Sequence, residues 1–141
     1  MWKRDEQAID ILRKTLSFLE DKYNFALRFN EPAAYYYETA DCEVLAEFEI
    51  HKVYISIAPI GEIKANLLRN GTRGGRVDVK IVSQCLDPKY TFKSVPWDAK
   101  VDIEKEVKEY ARLLEKYCYK MLQGDFSQWS MIRKCLKERE N

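Results

Sequence analysis

Between Cys42 and Ala58 the chain alternates apolar and polar residues with a period of two. Val44, Ala46, Phe48 and Ile50 fall on one side, and Glu43, Leu45, Glu47 and Glu49 on the other. After His51-Lys52 the pattern resumes, with Val53, Ile55 and Ile57 set against Tyr54, Ser56 and Ala58. That period is the signature of a pleated strand and is incompatible with a helix. A turn at His51-Lys52 pairs Ile50 with Val53, Phe48 with Ile55 and Ala46 with Ile57, and places Glu49/Tyr54 and Glu47/Ser56 on the opposite face. Any loop of even length preserves the assignment of faces. The hairpin is half-buried, so its apolar face needs a cover.

The flanking segments extend the hairpin into a meander. If Ala40-Asp41 turns the chain, Tyr37 meets Val44 and Tyr35 meets Ala46 on the core face. Tyr36 then meets Leu45, and Glu38 meets Glu43, on the outer face. The registers of the three strands agree with one another. Phe25, Leu27 and Phe29 alternate with Ala26 and Arg28 in a short strand that Asn30-Glu31-Pro32 should break. Val77, Val79, Ile81, Ser83 and Cys85 alternate with Asp78, Lys80, Val82 and Gln84, which predicts a long strand closed by Asp87-Pro88. Residues 60–69 fit either an edge strand or a helical turn.

Helical spacing governs the two ends. Asp5 caps a first helix whose stripe is Ile9, Leu12, Leu16 and Leu19, with Asn24 as a left-handed terminator. Asp102 caps the longest helix, carrying Ile103, Val107, Tyr110, Leu114, Tyr117 and Met121, and Gly124 ends it. Asp125 opens a last helix with Phe126, Trp129, Ile132 and Leu136 on one face. Residues 89–100 form a connection whose Phe92, Val95 and Trp97 lie back over the core. The expectation is one α+β domain over residues 1–141. Its antiparallel sheet of about five strands is a meander, covered on one face by the N-terminal and C-terminal helices. Phe48, Ile55 and Leu114 should be among its most buried side chains.

Charge and motif content narrow the function classes. With 24 basic and 23 acidic side chains the net charge is +1, so no global field recruits nucleic acid or an anionic membrane. The longest uncharged apolar run, around Val53 to Gly61, falls short of the roughly 20 residues a membrane-spanning helix needs. The four cysteines, Cys42, Cys85, Cys118 and Cys135, form no C-x-x-C, and His51 is the single histidine. A structural zinc site is therefore not expected. P-loop, H-E-x-x-H, G-x-S-x-G and calcium-loop motifs are absent. The charged N-terminus lacks an apolar signal region, and the simplest setting is a reducing cytoplasm with free thiols serving as small core residues. His51, at a hairpin tip with no orienting partner in sequence, is a solvated turn residue rather than a general base. No catalytic residue, metal or cofactor is expected.

Three stretches carry a resemblance. They are Phe18-Leu19-Glu20-Asp21-Lys22-Tyr23-Asn24-Phe25; the Tyr- and Glu-rich meander leading into Val53-Tyr54-Ile55-Ser56-Ile57-Ala58-Pro59; and Tyr110-Ala111-x-x-Leu114-x-x-Tyr117 followed by Leu122-Gln123-Gly124-Asp125-Phe126. Their order resembles small bacterial immunity proteins of contact-dependent growth inhibition and polymorphic toxin systems. The resemblance implies a non-enzymatic binding protein that neutralises a cognate toxin domain by occluding it. No binding residue follows from it.

The surface comes instead from the outer face of the meander, where Tyr36, Glu38, Glu43, Glu47, Glu49 and Tyr54 share one side. Four carboxylates with two tyrosines suit a basic protein partner, the tyrosines as anchors and the carboxylates as steering charges. The plainer account makes them ordinary outward positions, neutralised by Lys80 from the other long strand. A competing function uses the loop Arg69-Asn70-Gly71-Thr72-Arg73-Gly74-Gly75-Arg76 for a nucleic-acid-associated or regulatory role. That loop lacks the Gly-Lys-Ser/Thr of a phosphate cradle, and a solvated hairpin loop accounts for it, so nucleic acid is not the expected partner.

Overall fold

The computed structural model describes residues 3–31, 33–49, 52–64, 75–93 and 101–140. In chain order the elements are α1 (Lys3–Thr15), α2 (Ser17–Asp21), β1 (Ala26–Glu31), β2 (Ala34–Glu38), β3 (Cys42–Glu49), β4 (Lys52–Pro59) and β5 (Val77–Asp78). There follow α3 (Val79–Leu86), α4 (Ile103–Tyr117), α5 (Tyr119–Leu122) and α6 (Trp129–Glu140). Residues 60–64 are also helical. The five strands form one antiparallel sheet in the order β1-β2-β3-β4-β5, a meander with helices at both ends of the chain. The architecture is α+β.

The β2–β3 register is the expected one, with Tyr37 opposite Val44, Tyr35 opposite Ala46, Tyr36 opposite Leu45 and Glu38 opposite Glu43. The β3–β4 register differs. Phe48 faces Val53 rather than Ile55, Ala46 faces Ile55, and Glu49 faces Lys52. Lys52 is thus a paired strand residue and not part of a His51-Lys52 turn; Ile50 and His51 lie outside the described residues. The displacement is an even number of residues, so every side chain keeps its predicted face. Val44, Ala46, Ile55 and Ile57 are completely buried in one core with Leu12, Leu16 and Leu19 from the N-terminal part of the chain and Val107, Leu113 and Leu114 of α4. Phe48 is only half-buried, which corrects its expected place in the core. Its new partner sets it one pair from the connected end of the hairpin, edge-on to Tyr35 at a ring separation of 6.0 Å.

The expected long strand at 77–85 is only two residues long. Val77 and Asp78 pair with Ile57 and Ser56, and the chain then enters α3. Two local features explain the switch. The Asp78 carboxylate caps the helix by accepting the Lys80 amide at 2.8 Å. Val79, Val82 and Ser83 fall on one helical face and are buried, with the Ser83 hydroxyl donating to the Val79 carbonyl. Apolar residues at both spacings make the stretch legible as either element. Packing against α4 and α6 selects the helix.

Other boundaries moved for similar reasons. α1 begins before Asp5, so Asp5 is inside the helix rather than its cap. β1 continues through Glu31, where a break was expected, and Ala33 makes the reversal at φ +65°. The stripe from Ile103 to Met121 is divided at Cys118 into α4 and α5. Asn24 (φ +61°) terminates the first helical segment as predicted. Gly124 has φ +90°, a backbone conformation that favours glycine, and a Cβ there would stand 2.9 Å from Asp41 Oδ2, the end of an exposed side chain. Asp125 accepts the Ser127 amide, and α6 starts only at Trp129. Asp102 caps α4 as expected, accepting the Lys105 amide.

The expectation of four free thiols does not hold. Cys85 of α3 and Cys135 of α6 form a disulfide, with Cα atoms 5.9 Å apart, while Cys42 and Cys118 are free and buried. Among the described residues no helix is long and apolar enough to cross a membrane.

Candidate interaction surface

Strand register puts all six expected residues on one face, but the tertiary structure divides that face in two. At the β2–β3 end the carboxylates are consumed internally. Glu38 is paired with Arg28 at 2.5 Å, and Arg28 stands opposite Tyr36 on the neighbouring strand. Glu43 is only 5% exposed; its Oε1 accepts from Arg76 Nε at 2.5 Å, and the arginine side chain is itself 10% exposed. The Arg76 guanidinium lies 6.0 Å from the Tyr36 ring centroid. Beneath it Ala34, Tyr36 and Leu45 form a small buried cluster of their own. Tyr36, Glu38 and Glu43 are thus parts of a closed structural patch. The like-charged Glu38/Glu43 pair is tolerated because each carboxylate has its own arginine. Lys80, the expected neutralising residue, instead bonds Glu106 of α4 at 2.7 Å.

The other half stays open. Glu47 and Glu49 are exposed and carry no ion pair among the described residues. Tyr54 faces Glu47 across the strands and is 38% exposed, one of few large apolar side chains so placed. Partial burial and then the Glu49 carboxylate raise its phenol above the ordinary value, so it remains a neutral donor at physiological pH. Glu47, Glu49 and Tyr54 are the members of the expected set that can meet a partner.

Sequence reasoning missed what lies beside Tyr54. Lys52, Val53 and Tyr54 of β4 line a cavity of about 260 Å³. Asp78, Lys80, Glu106 and Tyr110 bring a polar network to its wall. The Tyr110 hydroxyl donates to Asp78 Oδ2 at 2.9 Å, and the Lys80 ammonium stands 5.0 Å from the Tyr110 ring. Burial raises the Asp78 carboxyl above the usual carboxylate range, opposed by its bonds from the Lys80 amide and Tyr110. Burial also pushes the Tyr110 phenol far up, followed by the Asp78 charge, while the Ile55 backbone opposes the shift. The network ties β4, β5 and α4 together with its donors and acceptors engaged. The available signal was Asp78 standing one residue before a helically spaced Val79/Val82.

No group of three or more His, Cys, Asp or Glu side chains among the described residues is arranged to hold a metal. Of the Arg69–Arg76 loop, residues 69–74 lie outside the described residues, as do His51, Val95 and Trp97. Compared with known proteins, the chain matches no family model, no curated protein and no solved structure.

Proposed function

We propose that this chain is a non-enzymatic binding protein of the immunity type, which neutralises a toxin domain by covering it. The observation that carries this is the end of the β3–β4 hairpin at which Glu49 pairs with Lys52. There two exposed carboxylates without ion pairs among the described residues, Glu47 and Glu49, flank an exposed tyrosine on a rigid sheet. A basic partner surface gains steering from the carboxylates and an amphipathic anchor from Tyr54. Sheet pairing holds the three backbones in place, which lowers the ordering cost of association. A nucleic-acid role through the 69–76 loop is less well supported, because Arg76 is already engaged by Glu43 and Tyr36.

The test begins with the gene neighbourhood: any secreted protein encoded beside this chain is identified, and its toxin domain is purified and mixed with the chain. Association with wild type should be fast and should slow as salt is raised. E47K/E49K should associate about tenfold more slowly and with a flatter salt response. Equal rates for both proteins at two ionic strengths would move the interface elsewhere. No complex with any neighbouring gene product would remove the immunity reading.

A further inference from the structure

The two ends of α6 are held by different means. Its first turn is held by packing: Trp129 and Ile132 are buried, and Phe126 meets the Trp129 ring edge-on at 5.7 Å. Beyond Ile132 the helix rides on the surface. Arg133, Lys134, Lys137, Glu138 and Arg139 are exposed, while Cys135 and Leu136 are half-buried. Among the described residues, the polar ties of this stretch are an ion pair from Arg133 to Glu62 at 2.7 Å and a hydrogen bond from Arg139 to Gln84. Both arginines are solvated, and such ties hold little. The remaining tie is the covalent bond from Cys135 to Cys85.

On the other side of that bond, α3 has its own support. Val79, Val82 and Ser83 are buried, Asp78 caps its first turn, and the Tyr117 hydroxyl of α4 donates to Asp87 Oδ2 at 2.6 Å just past its last residue. The stretch 133–140 has no comparable support, and it is shorter than the roughly 12–15 residues an isolated helix needs to persist in water. Loss of the bond therefore frees the end of α6 and leaves α3 in place. Access favours the same pair. Cys85 and Cys135 are half-buried, within reach of a small thiol, whereas Cys42 and Cys118 are fully enclosed.

We propose that the Cys85–Cys135 bond is a redox-sensitive latch, whose reduction by a dithiol releases residues 133–140 from α3 while the sheet and the other helices stay folded. One thiolate of the dithiol attacks a bridge sulfur and expels the other as a thiolate, leaving a mixed disulfide. The second thiolate of the dithiol then displaces the remaining cysteine and closes the reductant into its own disulfide. Two electrons pass from the dithiol to the bridge, and its two protons end on Cys85 and Cys135. The latch is independent of the toxin-facing reading of Glu47 and Glu49, and either can fail alone.

The test compares the full chain before and after dithiothreitol in native buffer, by hydrogen exchange read on peptic peptides. Reduction should raise exchange across residues 133–140 about tenfold and leave residues 44–57 and 107–114 unchanged. Reoxidation with glutathione disulfide should restore the original protection. Leu136→Ala, which trims the half-buried contact but keeps the bridge, should stay protected while oxidised and lose protection on reduction. Any of four results would overturn the proposal: equal exchange at 133–140 in both redox states, an equal rise at 44–57 and 107–114, a bridge that dithiothreitol leaves intact in the folded protein, or oxidised Leu136→Ala exchanging as fast as reduced wild type.

Discussion

At Glu43 the effect of a charge reversal is set by Arg76. Both side chains are almost fully enclosed, at 5% and 10% exposure, and each supplies the other's counter-charge. Glu43→Lys would place an ammonium beside a buried guanidinium, and breaking a buried pair typically costs about 3–5 kcal/mol. Glu47→Lys, on the same face and strand but exposed, should move stability by only about 0.5 kcal/mol. Urea titration of the two single variants gives the comparison. A loss below about 1 kcal/mol for Glu43→Lys would mean that the Arg76 contact is solvated. The contrast also dictates which carboxylates report on binding, since a defect in Glu43→Lys would reflect folding first.

Among the elements, α3 and α6 are joined covalently. The bridge between Cys85 and Cys135 closes a loop with a sequence separation of 50. In the chain-entropy account a loop of that length stabilises the fold by about 4 kcal/mol, by restricting the unfolded state. Adding a dithiol reductant should lower the denaturant midpoint accordingly, and Cys85→Ser should reproduce the loss without reductant. Thiol counting gives an independent check. Unfolded but unreduced protein should label two thiols, Cys42 and Cys118, and the native protein none, because both are buried. Four labelled thiols without reductant would remove the bridge and its stabilisation.

For the whole molecule, burial of neutral acids makes alkaline pH the vulnerable side. Burial pushes the Cys118 thiol up from 9.0 to about 12, and raises Cys42, Tyr37 and Tyr110 as well. In the unfolded chain these groups release protons near their ordinary values, while the folded chain retains them. The native state then binds more protons, so stability is fully present below about pH 9 and falls as pH rises towards 12. Each such group contributes up to about 1.4 kcal/mol per pH unit across its window. Urea midpoints should decline between about pH 9 and about pH 12, and Cys118→Ala should decline less steeply. A flat profile over that range would show that the unfolded chain protects these groups equally.

The period-two pattern from Tyr35 to Ile57 was sufficient to assign faces, because a slip by one residue would exchange the core and solvent sides of every strand, and the turn at Ala40-Asp41 added the β2–β3 register. Asn24 and Gly124 likewise marked helix ends through a backbone conformation that few residues adopt. A slip by two residues leaves the pattern unchanged, so the β3–β4 register was decided by contacts, and Phe48 moved to the margin of the core with it. Residues 77–86 satisfy strand and helix spacing alike; the space between α4 and α6 settled them as two strand residues and a helix. The division of the acidic face depended on Arg28 and Arg76, which reach Glu38 and Glu43 from distant positions in the chain. Local periodicity reports which side of an element faces the core, whereas charge pairing across elements depends on distances that only the folded chain defines.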